Sequence, residues 1–201
     1  MKNLLIGAML SLTLAISPAW AGPTVQLNGG KTTVELSPDF VNALVSLGVT
    51  PAATKPGVLR LNKGTVSFPI PGGALDAQSL AGDIFHTGGL VLSVPGTTVN
   101  LLNFVISTTG APVLNGIASV NGDVVDRIPL FDLDLTDAIV DASRANRLTV
   151  SNVGVTLNAI AAATLNDVFG TDAFEEGFPI GTATVVSRIR RALGGDVDDG
   201  T

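Results

Sequence analysis

Apolar residues recur along this chain with a period of two over short stretches, and Gly or Pro interrupts them roughly every eight to twelve residues. Successive side chains of a strand point to opposite faces, so this is the pattern of many short antiparallel strands. Thr65-Val66-Ser67-Phe68-Pro69-Ile70 alternates cleanly and puts Val66, Phe68 and Ile70 on one face. Two longer stretches change phase midway. Over residues 97–107, Val99 and Leu101 share one parity, and Leu102, Phe104 and Ile106 take the other. Over 147–157, Leu148 and Val150 give way to Val153, Val155 and Leu157. A one-residue slip turns the apolar set to the opposite face unless a bulge absorbs it, so both stretches predict long, bulged strands.

Two short helices are predicted inside this β pattern. Ser37-Pro38-Asp39 combines an N-cap, a first-turn proline and an acid beside the positive helix end. Phe40, Leu44 and Leu47 follow on one face, and Gly48 supplies the stop. Asn158 opens the second helix, where Ala161, Leu165 and Val168 take the matching places before Gly170. Each helix follows a strand ending Val-x-Leu (Val34 and Leu36; Val155 and Leu157), the two copies lying 121 residues apart. Each is followed by a glycine-bearing strand start, at Gly64-Thr65-Val66 and Gly181-Thr182-Ala183. These can be read as a pseudo-twofold strand–helix–strand duplication around a central all-β region, Leu80 to Leu135. The shared identities are few, and coincidence explains them as readily. The prediction is a mainly β protein, an antiparallel β-sandwich or barrel-like fold with two short helices; strand periodicity is the same in both forms.

The first 21 residues follow another rule. Lys2, the apolar run Leu4–Ile16 and the small residues of Ala19-Trp20-Ala21 make a Sec-type export signal. The run is shorter than the ~20 residues a membrane span needs. No later stretch is long and apolar enough to cross a bilayer as a helix. The expected organisation is a signal over 1–21, a single β-rich domain over 22–189, and a disordered tail over 190–201. The expected destination is the periplasm or the exterior of the cell.

Composition narrows the chemistry. With 11 Lys and Arg against 17 Asp and Glu, the net charge is −6, and an acidic, aromatic-poor chain is a poor nucleic-acid partner. There is no Cys, which removes disulfides, thiolate metal sites and cysteine nucleophiles. There is no Tyr, and the single Trp lies in the leader, so sugar-stacking platforms are missing from the expected domain. No Gly-x-Ser-x-Gly elbow and no phosphate loop occur, and one His makes no triad. The chain reads as a non-catalytic exported protein that acts by binding or structural association, its partner a small apolar ligand or another exported protein.

Two groups of residues stand out. In Gly82-Asp83-Ile84-Phe85-His86-Thr87-Gly88-Gly89-Leu90, alternation sends Ile84 and His86 one way and Asp83 and Phe85 the other. Bulky apolar groups on both faces suggest a centrally placed strand, with His86 and Phe85 as ligand-binding residues. His86 is then an axial ligand or polar anchor in an apolar pocket, or a strand-end histidine bonded to backbone at the Gly88-Gly89 turn. In Phe131-Asp132-Leu133-Asp134-Leu135-Thr136-Asp137, the apolar residues share the core face and Asp132 and Asp134 the other. Asp132, Asp134 and Asp137 form the candidate metal group, suited to calcium; the alternative is a solvated face with Asp137 as a cap. The Gly194–Gly200 stretch is one copy of a calcium-repeat-like segment, and a single copy cannot stack into a solenoid.

The runs Phe68-Pro69-Ile70-Pro71-Gly72-Gly73, Ala81 to Leu90, and Arg127-Ile128-Pro129-Leu130-Phe131-Asp132-Leu133 resemble a family of uncharacterised secreted bacterial β-domains. More distantly, the order of glycine, strand, His-x-Gly and strand is similar to the haem-binding HtaA domain of bacterial iron-uptake proteins. The likeness spans about Gly57 to Val186, and His-Thr-Gly-Gly-Leu is its one specific motif. It implies a β-sandwich with small helices, haem as a possible cofactor, and His86 at the position of a haem-site histidine. Those domains are understood to ligate iron through Tyr, which this chain lacks. Three readings follow: a structural or binding module, a carrier of haem or lipid between the sheets, and a calcium-stabilised surface or matrix protein.

Overall fold

The structure is a computed structural model and describes residues 23–191. The expected export signal and all but the start of the expected tail lie outside the described residues. The strands are β1 (Thr24–Leu36), β2 (Thr50–Thr54), β3 (Val58–Arg60), β4 (Thr65–Pro69), β5 (Gly72–Asp76), β6 (Gly82–Phe85) and β7 (Gly89–Val94). They continue with β8 (Thr97–Ser107), β9 (Val113–Val120), β10 (Asp123–Asp134), β11 (Ile139–Asp141), β12 (Arg147–Leu157) and β13 (Pro179–Arg191). Helix α1 covers Pro38–Ser46 and α2 covers Ala159–Phe169. Arg190 and Arg191, expected in the tail, extend β13 by pairing with Gln26 and Val25.

Eight strands close into an antiparallel barrel in the order β1-β5-β6-β8-β9-β10-β12-β13, with β13 returning to β1. The remaining strands form flaps off this ring: β4 and β3 beside β1, β7 and β2 beside β8, and β11 beside β12. Each flap begins at a bulge. On one edge β1 pairs with β5 over Thr24–Leu27 and with β4 over Lys31–Glu35, and its register with β13 slips between Leu27 and Gly30. β8 forks between β7 and β6 where its register with β9 slips between Leu102 and Val105. β12 forks between β11 and β10 where its register with β13 slips between Val150 and Val153. The extra residue bends the strand and raises its twist, so one strand can serve two diverging neighbours.

The predicted bulges in β8 and β12 are therefore present, each with an asparagine in the left-handed region, Asn103 (φ 53°) and Asn152 (φ 60°). Both helices form where their caps predict. Ser37 Oγ accepts from the Phe40 N–H (3.0 Å), and Asn158 Oδ1 from the Ile160 N–H (3.1 Å). The two strand–helix–strand units share their order, but their return strands differ. β13 is part of the ring, whereas β4 lies in a flap.

Barrel closure decides between the two forms left open by periodicity. The interior is apolar, with Leu92, Val99, Phe104, Leu130 and Leu157 almost fully enclosed. The outer positions of β13, Thr182, Thr184, Val186, Arg188 and Arg190, are mostly polar, the reverse of a lipid-facing barrel. Among the described residues no helix is long and apolar enough to cross a membrane.

Candidate functional site

The flaps on β1 and β8 are joined by the β2–β3 turn but not hydrogen-bonded to each other, which leaves a split at one end of the barrel, and α1 packs beside it against β13 and β2. Beneath it is a cavity of about 310 Å³, walled by β1, β3, β4, α1 and the ring strands. Its lining is apolar apart from two side chains, Thr32 on β1 and His86 just after β6. Phe68 and Phe104 meet edge to face in its wall, with ring centroids 4.9 Å apart. Val45 of α1 and Leu61 after β3 line the cavity yet are 74% and 59% exposed, so it reaches the surface between them.

His86 is held by backbone on both sides. Its N–H donates to the Phe104 carbonyl (2.9 Å), and the Thr87 N–H donates to that of Pro69 (3.0 Å). The two glycines that follow are required by close backbone approach. A Cβ on Gly88 would lie 2.5 Å from the Gly57 nitrogen, and one on Gly89 would lie 2.3 Å from the Leu101 carbonyl oxygen. His86-x-Gly-Gly is thus the way this fold brings the chain under the β2–β3 turn while turning the imidazole inward.

The imidazole is buried, and its Nε2 shares a 2.7 Å hydrogen bond with the Thr32 hydroxyl. Nδ1 is buried with no hydrogen-bond partner. The carbonyls of Phe104 and Ile84 lie near enough to favour a proton on the ring, but neither bonds Nδ1. Burial dominates and pushes the His86 pKa down to about 4, so the ring is neutral at physiological pH. A neutral imidazole with an unshared nitrogen, set in an apolar wall, is the chemical form that a metal ligand or a hydrogen-bonding anchor requires.

The sequence pairing of His86 with Phe85 does not hold at the cavity. Strand alternation puts Ile84 and His86 inside, and leaves Phe85 on the outer face, 46% exposed and away from the lining. The strand is covered on one face only. The residue missed was Thr32, which lies 54 positions from its partner; its inward parity with Val34 and Leu36 is the only sequence trace of it.

The acidic group is laid out as alternation predicts, with Phe131 and Leu133 inward and Asp132 and Asp134 outward, but its members serve local structure. Asp132 Oδ1 accepts from Asn158 Nδ2 (2.8 Å), bracing the cap of α2. Asp134 Oδ1 accepts from the Thr136 N–H (2.9 Å), and the Thr136 hydroxyl and amide hold this carboxyl below its usual pKa. Asp137 sits in the turn before β11, where its carbonyl accepts from Asn152 Nδ2 (3.0 Å). Leu135, expected in the core, lies past the end of β10 and is exposed. Among the described residues no three acidic or imidazole groups converge on a point where a metal could sit.

No family model matches this chain, and no curated protein sequence matches it. Solved structures do. The C-terminal domain of HtaA from Corynebacterium glutamicum superimposes with a TM-score of 0.63 at 13% identity, covering 83% of this chain and 99% of that domain. The fold is HtaA-like. The heme binding protein HtaB from the same organism superimposes with a TM-score of 0.54 at 11% identity, over 84% of this chain and 97% of its own. A domain-swapped dimer of an HtaA C-terminal domain variant matches at a TM-score of 0.53 and 16% identity, over 74% and 89% of the two chains.

Proposed function

We propose that this chain is an exported, non-catalytic carrier that holds an apolar ligand at the split end of its barrel. The observation that carries the reading is a cavity of about 310 Å³ whose only polar side chains are a hydrogen-bonded threonine and a neutral histidine with a free ring nitrogen. That volume falls at the lower end of the ~300–1,000 Å³ of small-molecule sites, and such a lining binds by excluding water from an apolar body. Leu59 and Leu61 line the cavity, while Arg60 and Lys63 are exposed on the same segment. An amphiphile with an apolar body and a carboxylate edge suits this mouth, its body inside and its charge beside the two cations.

Haem is the member of that class to test first. It has an apolar macrocycle and two carboxylates, and a fold neighbour is a heme binding protein. Of the lining residues His86 alone carries a nitrogen able to bond iron; its Nδ1 has no hydrogen-bond partner but is buried, so the ring must turn for an axial bond to form. When bound, haem would supply the iron; this chain would supply the imidazole, the apolar walls and the cations at the rim. There is no Tyr to act as an alternative ligand. The test is titration with haemin, read in the Soret region, and with a fluorescent fatty acid. A saturable one-to-one Soret band that His86→Ala abolishes assigns haem. Saturable fatty-acid binding without a haem band assigns an acyl ligand. Saturable binding of neither sinks the carrier reading.

A further inference from the structure

The chain is acidic, yet five of its cations gather on the outer face of the β1–β13–β12 side of the ring. Arg147 stands directly across the β12–β13 ladder from Arg188, Lys31 lies opposite Val186 on the neighbouring ladder, and Arg190 lies opposite Gln26. Arg144, in the turn before β12, completes the group. Arg144, Arg147 and Arg188 together line a concavity of about 390 Å³, and the first two also line a smaller one of about 140 Å³. Like charges directly opposed on a ladder destabilise it. Among the described residues one acid lines either concavity, Asp141, whose Oδ1 accepts from the Ser143 N–H (2.9 Å) and which lies close enough to Arg144 and Arg147 to feel their charge.

Arg188 is also seated. At Gly29 (φ +89°) a Cβ would come within 3.1 Å of Arg188 Nη2, so the guanidinium rests against the bare face of that glycine. The β1 bulge presents this face. Beneath it the fully buried Ser187 donates its hydroxyl hydrogen bond to the Gly29 carbonyl (2.9 Å). Gly181 pairs with Leu36 near the start of α1, and Arg188 lies seven residues further along β13. The cavity residue Thr32 pairs with Val185, three residues before Arg188 and roughly 10 Å away at the rise of an extended strand, but Arg188 stands on the outer face, so the arginine group is separate from the carrier site inside the barrel.

We propose that Arg144, Arg147 and Arg188 form a binding site for a phosphate-type oxyanion. Guanidinium forks present paired N–H donors that match the oxygens of such an anion, and a bound dianion would neutralise the opposed charges. The anion is free phosphate or the phosphate of a lipid headgroup. The test is thermal unfolding of the chain at constant ionic strength, with inorganic phosphate replacing chloride. Phosphate is expected to raise the melting temperature by several degrees. Arg147→Gln and Arg188→Gln, both still melting cooperatively, are expected to lose that rise. With phosphate absent and salt low, Arg188→Gln is expected to melt above the parent chain, because the opposed pair is relieved. Sedimentation with phosphatidylcholine vesicles containing phosphatidylglycerol, competed by phosphate, would assign the headgroup as the source. A phosphate-dependent rise without vesicle binding would assign the free anion. A melting temperature unmoved by phosphate with no vesicle binding overturns the site, as does a rise that survives both substitutions.

Discussion

The two helices cover opposite outcomes of one barrel. Leu44 of α1 and Leu165 of α2 lie 121 residues apart, at the same place after strands that end alike, and both are buried. Beneath α1 is the cavity of about 310 Å³; beneath α2, where Leu92, Val99, Leu101, Leu130 and Leu157 meet, about 20 Å³ remains. An eight-stranded barrel is just wide enough either to be filled by side chains or to hold one small ligand. This one does each at a different place. Both helices touch the ring, α2 at β10 and α1 at β13, but α1 also reaches β2 of the flap on β8 and lines the cavity between the flaps.

Truncation is the strongest way to break this comparison. Leu165→Ala is expected to cost about 3–5 kcal/mol, because close-packed neighbours relax little around the void. Leu44→Ala, beside a space that already exists, should cost about 2 kcal/mol, since fewer contacts are lost. Urea unfolding of the two variants measures both, and equal costs would mean that the halves are equally packed.

Protonation gives the next largest effect, and it belongs to the hollow half alone. His86 is held at about 4 against an ordinary 6.5. Between those values the unfolded chain takes up a proton that the native state refuses. Stability is therefore complete above pH 6.5 and falls as the pH drops towards 4, levelling below it, by about 3 kcal/mol in all. Urea midpoints at pH 7, 6 and 5 should show the slope, and His86→Leu should flatten it. A slope unchanged in that variant would place its origin elsewhere.

Enlarging a buried alanine probes the same contrast in reverse. Ala118→Leu, on the packed side, is expected to cost about 1–3 kcal/mol through overpacking. Ala183→Leu projects into the cavity and should cost under about 1 kcal/mol while weakening ligand uptake. The smallest effect is expected from Thr32→Val combined with His86→Leu. Removing both partners together leaves no polar atom stranded, so apo stability should change by less than about 1 kcal/mol, and it rises if the free Nδ1 is a cost. Chemical denaturation of the double variant and each single variant separates the pair from its members.

Much of this could be read from the chain. The helices were legible because their caps are local, and the bulges because a phase change is local too. Even there Leu102, which alternation placed with Phe104, proves to be the last paired residue before the bulge, half-buried on the other face. What was not legible was every relation between distant strands. The pairing of β1 with β13 that turns sandwich into barrel leaves no mark on periodicity, and neither does the contact of His86 with Thr32. Phe85 shows a different limit. Its size suggested burial, while alternation had already set it on the face opposite His86, and alternation decided.

The ring closes through its first and last strands. β1 cannot complete its barrel pairing until Pro179–Arg191 is present, and β12 waits for the same segment on one of its edges. Assembly is therefore governed by the most distant part of the chain, which makes folding slow relative to any local step. Until that segment has paired on both sides, the sheet stays open between β1 and β12, with an unpaired strand edge on each.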